Sequence, residues 1–105
     1  PYNTPAFGQP REVGQETSEI LLRAAAIENQ LFIVAVGKAG VEDNAEYIGG
    51  SEILAPTGRV VAKAQTDHDE LVVATLDLDE ITRLKEKWDF LPDRRPELYQ
   101  ALVQK

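Results

Sequence analysis

The sequence predicts an α/β chain built in layers, in the order helix, about four strands, helix, tail. Three observations carry this. Apolar residues recur at helical spacing through Ile20, Ala24, Ile27 and Leu31. The run Leu31-Phe-Ile-Val-Ala-Val36 is continuously apolar and partly β-branched, which fits a strand covered on both faces. Two later segments of strand character meet at Pro56-Thr57-Gly58, the chemistry of a hairpin turn.

The elements follow in order. Residues 1–15 hold Pro1, Pro5, Gly8, Pro10 and Gly14 and read as a loop. Thr17 or Ser18 is the expected N-cap of the first helix, which runs to about Gln30 with Glu19 and Arg23 paired at i,i+4. Alanines at 24, 25 and 26 keep its inner face thin, suiting close packing on a sheet. After the apolar strand, Gly37 to Glu46 reads as an acidic loop. Tyr47 to Ala55 and Arg59 to Gln65 are the hairpin strands, and Glu70 to Leu76 is a further strand. Asp77-Leu-Asp-Glu80 has the spacing of a capping box. The helix it opens places Ile81, Leu84 and Trp88 on one face. Residues 93–105 form a tail in which Asp93 to Tyr99 starts a last short helix. A sheet with these edges calls for more strands than the chain supplies.

Composition narrows the function. The 105 residues carry 18 acidic and 11 basic side chains, a net charge of −7, which argues against a nucleic-acid partner because such surfaces concentrate Lys and Arg. With no cysteine, these residues hold no disulfide, thiolate ligand or thiol nucleophile. No apolar run approaches the ~20 residues needed to span a bilayer, so no membrane role is expected. The N-terminus lacks the pattern of a signal peptide, and a cytoplasmic location is the expectation.

Most polar motifs read as surface. His68, the single histidine, sits between Asp67 and Asp69 in a turn and has no second imidazole for a metal site. The acids Glu42, Asp43, Glu46, Asp67, Asp69 and Glu70 lack calcium-loop spacing. Gly37-Lys38 fails as a phosphate loop because Phe32 stands where a glycine is required and Ala39 follows the lysine. Ser51 follows Gly49-Gly50 but enters a strand rather than a helix, unlike a serine nucleophile elbow. The two glycines suit a bulge or a close backbone approach. Arg94 and Arg95 suit either a carboxylate grip or an interface ion pair.

Several short pieces taken together resemble the nitrilase superfamily of carbon–nitrogen hydrolases. They are Arg23 to Gln30 before the apolar strand, Gly50-Ser51, Ala55-Pro-Thr-Gly58, Asp77-Leu-Asp79 and Asp93-Arg-Arg-Pro-Glu-Leu-Tyr99. The resemblance spans nearly the whole chain and implies that residues 1–105 are the C-terminal portion of a single αββα-sandwich domain. Tyr2-Asn3-Thr4-Pro5, Gly37-Lys38 and Ala55 to Gly58 are similar to N-carbamoyl-D-amino-acid amidohydrolases in particular. Asn3 and Thr4 are then implied as substrate-binding residues, and a turn that merely satisfies its own backbone is the alternative. Where that subgroup carries histidines, this chain has Thr17 and Ser18.

The family attacks with a Cys assisted by Glu and Lys. None of Glu28, Lys38 or Lys63 matches those positions by motif, so the chain itself carries no catalytic residue and the nucleophile is expected upstream. The resemblance implies no cofactor and no metal, a small amide or ureido substrate, and a homodimer or higher homo-oligomer. A catalytically inactive binding or structural module is the rival reading. Within the enzymes, N-carbamoylputrescine amidase and aliphatic amidase are the other options.

Overall fold

The computed structural model describes residues 1–104. Its first helix, α1 (Arg11–Asn29), starts six residues before the predicted cap, and the leading loop is correspondingly shorter than 1–15. Pro10 (φ −54°) leads into Arg11 and presets the helical entry, and Arg-Glu-Val before Gly14 are adequate helix formers. Thr17 does not cap; its hydroxyl donates back to the Val13 carbonyl at 3.0 Å. Gly14 is tolerated in mid-helix because Ile48 lies against it: a Cβ there would come within 2.7 Å of Ile48 Cγ2. At the other end Gln30 closes the helix in the left-handed conformation (φ 51°, ψ 52°).

The apolar run yields a three-residue strand, β1 (Ile33–Ala35), and it is covered on one face rather than two. Ala35 is buried while Val34 is 58% exposed. The predicted acidic loop contains a hairpin, β2 (Ala39–Glu42) with β3 (Ala45–Ile48), turned by Asp43 and Asn44, both at positive φ (51° and 63°). A two-residue turn of that kind matches strand twist. The strand expected from Tyr47 to Ala55 is broken at Gly49-Gly50 (φ 61° and 72°), where the chain leaves β3 and enters β4 (Glu52–Leu54). β5 (Val60–Lys63) returns antiparallel to β4 through the Ala55–Gly58 turn, giving the sheet order β1-β4-β5. That turn is closed by Gly58 N–H on the Ala55 carbonyl (2.8 Å) and Ala55 N–H on Arg59 (2.9 Å).

Residues 70–76 form no strand in this chain, contrary to expectation. Leu71 and Val73 are 87% and 76% exposed while Val72 and Ala74 are half-buried, a strand-like alternation with no partner among the described residues. Helix α2 (Asp79–Lys87) begins near the predicted place. Asp77 accepts from Asp79 N–H (3.1 Å), but its other oxygen takes Arg83 (2.6 Å), so an Asp–Arg pair replaces the reciprocal capping box. Of the predicted face, Ile81 and Leu84 are half-buried and Trp88 is exposed beside Phe90, with ring centroids 4.5 Å apart. The tail makes two 3-10 turns (Leu91–Asp93 and Pro96–Leu98) and a short α3 (Gln100–Val103); its last residue, Lys105, lies outside the described residues.

α1 lies against β3, β1 and β4. Ala26, Leu54 and Ala55 are fully buried, and Ile48 nearly so. Arg23 Nε donates to the Gly58 carbonyl (2.8 Å), tying the helix to the hairpin turn. The whole is a slab of 47 × 41 × 18 Å. Its accessible surface, 7721 Å², exceeds the roughly 5,800 Å² expected of a closed monomer of this mass. Its radius of gyration, 16.7 Å, likewise exceeds the roughly 13 Å expected.

Candidate functional site

The segment Tyr2–Ala6 joins the two sheets. On one side Tyr2 N–H donates to Val36 (2.9 Å) and Lys38 N–H donates to Tyr2 (3.0 Å), a parallel bridge to Gly37. On the other, Ile48 N–H donates to Thr4 (3.0 Å) and Ala6 N–H to Glu46 (2.8 Å), antiparallel to β3. Asn3 is therefore fixed by strand pairing on both flanks. Side chains alternate along an extended chain, and here Tyr2 and Thr4 are half-buried while Asn3 is exposed. Neither the Asn3 amide nor the Thr4 hydroxyl has a protein hydrogen-bond partner among the described residues.

Tyr2 anchors the segment. Its hydroxyl donates to the Gly49 carbonyl at 2.8 Å, and its ring packs so close to Gly37 that a Cβ there would meet Tyr2 Cζ and Gly49 O at 2.6 Å each. Burial raises the Tyr2 pKa above its ordinary value, with a Ser18 hydrogen bond opposing. Ser51 Oγ accepts from Gly37 N–H (2.9 Å), so this serine braces the corner. Lys38 next to it pairs with Glu42 and sits 4.6 Å from the centroid of the Tyr47 ring.

Two depressions flank this junction. One of about 410 Å³ lies between Val36–Ala39, Gly49–Ser51 and the turn that carries His68. The other, about 300 Å³ and more apolar, has Thr4 at its edge with Phe7, Val13, Leu21 and Ile48. Thr17 and Ser18 also line the second, beside Thr4. His68 is 84% exposed at its side chain, as predicted, and no group of three potential metal ligands exists among the described residues. Arg94 and Arg95 lie in the exposed tail, where Arg95 pairs with Glu97 and Arg94 bonds the Leu91 carbonyl (3.1 Å).

The sequence reading passed over Tyr2 as an anchor and Glu52 as a buried charge. The double glycine was the signal for the first, since it marks where another backbone or ring comes close. Glu52 carried a signal too: an acid directly before the apolar Ile53-Leu54 of the same short strand.

Comparison with known proteins agrees with this architecture. Residues 2–86 match the family described as carbon-nitrogen hydrolase. The 2-oxoglutaramate amidase of Paenarthrobacter nicotinovorans is 38% identical over 84 residues, covering 79% of this chain and 28% of that protein. The N-carbamoylputrescine amidase of Arabidopsis thaliana is 29% identical over 113 residues, covering 97% and 38%. Among solved structures, a carbon-nitrogen hydrolase from Helicobacter pylori G27 superposes with a TM-score of 0.87 at 26% identity, over 100% of this chain and 40% of that one. The chain thus spans about a third of the length of the relatives it matches. No helix among the described residues is long and apolar enough to cross a membrane. On the match over residues 2–86 and the shared nitrilase-like fold, this chain belongs to the carbon-nitrogen hydrolase family.

Proposed function

We propose that this chain is the C-terminal portion of a hydrolase that cleaves a non-peptide C–N bond in an N-carbamoyl amino acid or a related ureido compound. Water is consumed, and the amine or amino acid is released with ammonia and carbon dioxide. The attacking thiolate, the proton-shuttling Glu and the oxyanion-binding Lys belong to residues upstream of Pro1. The observation that carries the substrate class is the Tyr2–Pro5 segment. It holds Asn3 rigidly by strand pairing on both sides and leaves its amide free to hydrogen-bond a polar ligand. The surface in excess of a closed monomer supports the reading that the chain packs against further parts of the same domain. Ile20 and Leu21, 61% and 65% exposed on α1, support assembly into a homodimer or larger homo-oligomer. A cytoplasmic enzyme without cofactor or metal completes the proposal.

The test is made in the complete protein. Asn3→Ala is expected to lower kcat/KM for N-carbamoyl amino acids by roughly tenfold or more, the value of a hydrogen bond to a polarised group. An unchanged kcat/KM removes Asn3 from the site. A second reading, an N-carbamoylputrescine amidase, draws on relatives of that name and on the Asp93 to Tyr99 motif. Ammonia release from N-carbamoylputrescine but not from N-carbamoyl amino acids would select it. Release from neither, nor from simple aliphatic amides, would leave a binding or structural module.

A further inference from the structure

Among the described residues Glu52 is the one acidic side chain buried in the core, 2% exposed, and its Oε2 is shielded from solvent with no hydrogen-bond partner there. It stands first in β4, opposite Ala35 of β1 and Lys63 of β5. Residues paired across strands share a face. Lys63 reaches up to Glu19 of α1, so this is the face that α1 covers. Whatever packs on the chain elsewhere, a side chain already enclosed between helix and sheet stays enclosed.

The groups around it are few. From α1 come Glu19 and Arg23, from β5 Lys63, and from the N-terminal segment the Tyr2 hydroxyl; β1 offers no titratable group. Lys63 is engaged by Glu19, and Arg23 is shared between Glu19 (3.7 Å) and the Gly58 carbonyl. Both nearby cations are thus committed to the rival carboxylate. A buried carboxylate with neither hydrogen bond nor ion pair is costly, whereas the neutral acid is tolerated.

We propose that Glu52 is a proton-operated latch between α1 and the sheet: neutral in the docked state, and on losing its proton a competitor with Glu19 for Lys63. Ionisation then pulls Lys63 down toward β4 and releases the middle turn of α1 around Glu19. The device does not depend on which substrate the enzyme takes.

The sign of the pH effect follows. Burial raises the Glu52 pKa above 4.5, with Glu19 repulsion adding to it and Lys63 and Arg23 opposing. Stability from this group is fully present below the unfolded value and is lost as pH rises through the raised folded value. Glu19 acts in the opposite sense: its hydrogen bond from Lys63 lowers its pKa, so its contribution is lost as pH falls.

The experiment uses the complete protein and three measurements. The Tm of the wild type is expected to fall as pH rises above the ordinary carboxylate range, by on the order of 2–4 °C, while Glu52→Gln holds its Tm over the same interval. A protonated-carboxyl band in the infrared spectrum should persist in the wild type above the ordinary carboxylate range and be missing there from Glu52→Gln. Glu19→Gln frees Lys63 for Glu52 and should shift loss of that band to lower pH. Parallel Tm profiles for wild type and Glu52→Gln, or a band that survives Glu52→Gln, would overturn the proposal. If Glu52→Gln does not fold, the band in the wild type and its shift in Glu19→Gln decide alone, and an unshifted band rejects the latch.

Discussion

Gln30→Leu is expected to destabilise the protein by about 2–4 kcal/mol, read as a lower denaturant midpoint at unchanged slope. The reason is a two-sided amide clamp. Gln30 is 2% exposed at the end of α1; its Nε2 donates to the Trp88 carbonyl and its Oε1 accepts from Phe90 N–H at 3.2 Å. One side chain therefore binds the backbone after α2 much as a neighbouring strand would. A leucine leaves a carbonyl and an N–H without partners in a partly buried place, each worth about 1–3 kcal/mol. Gln30→Glu refines the test. It keeps the acceptor for Phe90 but sets a carboxylate oxygen against the Trp88 carbonyl, so its destabilisation should ease as pH falls and the new acid becomes a donor. An equal loss for Glu at all pH values would show that packing, and not hydrogen bonding, holds the segment. The left-handed backbone at Gln30 usually selects glycine. Glutamine occupies it because a glycine would cap the helix and lose the clamp.

Gly37→Val is expected to have the second large effect, on stability and on substrate use together. Even one added carbon would stand 2.6 Å from both the Gly49 carbonyl and the Tyr2 ring, and one of these contacts is backbone that cannot rotate away. Relief requires Tyr2 to leave its bond to Gly49, which undoes the bridge that positions Asn3. Overpacking of this kind costs about 1–3 kcal/mol, and occasionally more. In the complete enzyme kcat/KM should fall at least as far as for Asn3→Ala. A variant with lowered Tm but full activity would separate the Tyr2 anchor from the site.

The structure also indicates what a sequence can and cannot declare. The body of α1 and the Ala55–Gly58 turn were legible because periodicity and turn chemistry are local signals. The first turns of α1 were not, since Pro10 and Gly14 read as loop residues although a proline suits a helix start and Ile48 had a use for the glycine. The β2–β3 hairpin was hidden by charge: Asp43-Asn44 is an acceptable two-residue turn, but among acidic neighbours it looked like solvent-facing loop. Residues 70–76 have strand character without a partner among the described residues, because pairing is a property of two segments and cannot be read from one. Asn3 and Thr4 were visible only through family resemblance. Nothing in their own chemistry marks them, and the pairing that fixes them involves residues more than thirty positions away.

The two-layer slab has a thermal consequence. The heat capacity of unfolding follows the apolar surface newly exposed, normally about 12–15 cal/mol/K per residue. A native state that already shows roughly a third more surface than a closed monomer has less left to expose. For these 105 residues alone, calorimetry should give a value below that range, and with it a shallow stability curve lacking a pronounced maximum. In the longer protein proposed above the same residues should return to the ordinary range, because the open surface would there pack against the rest of the domain.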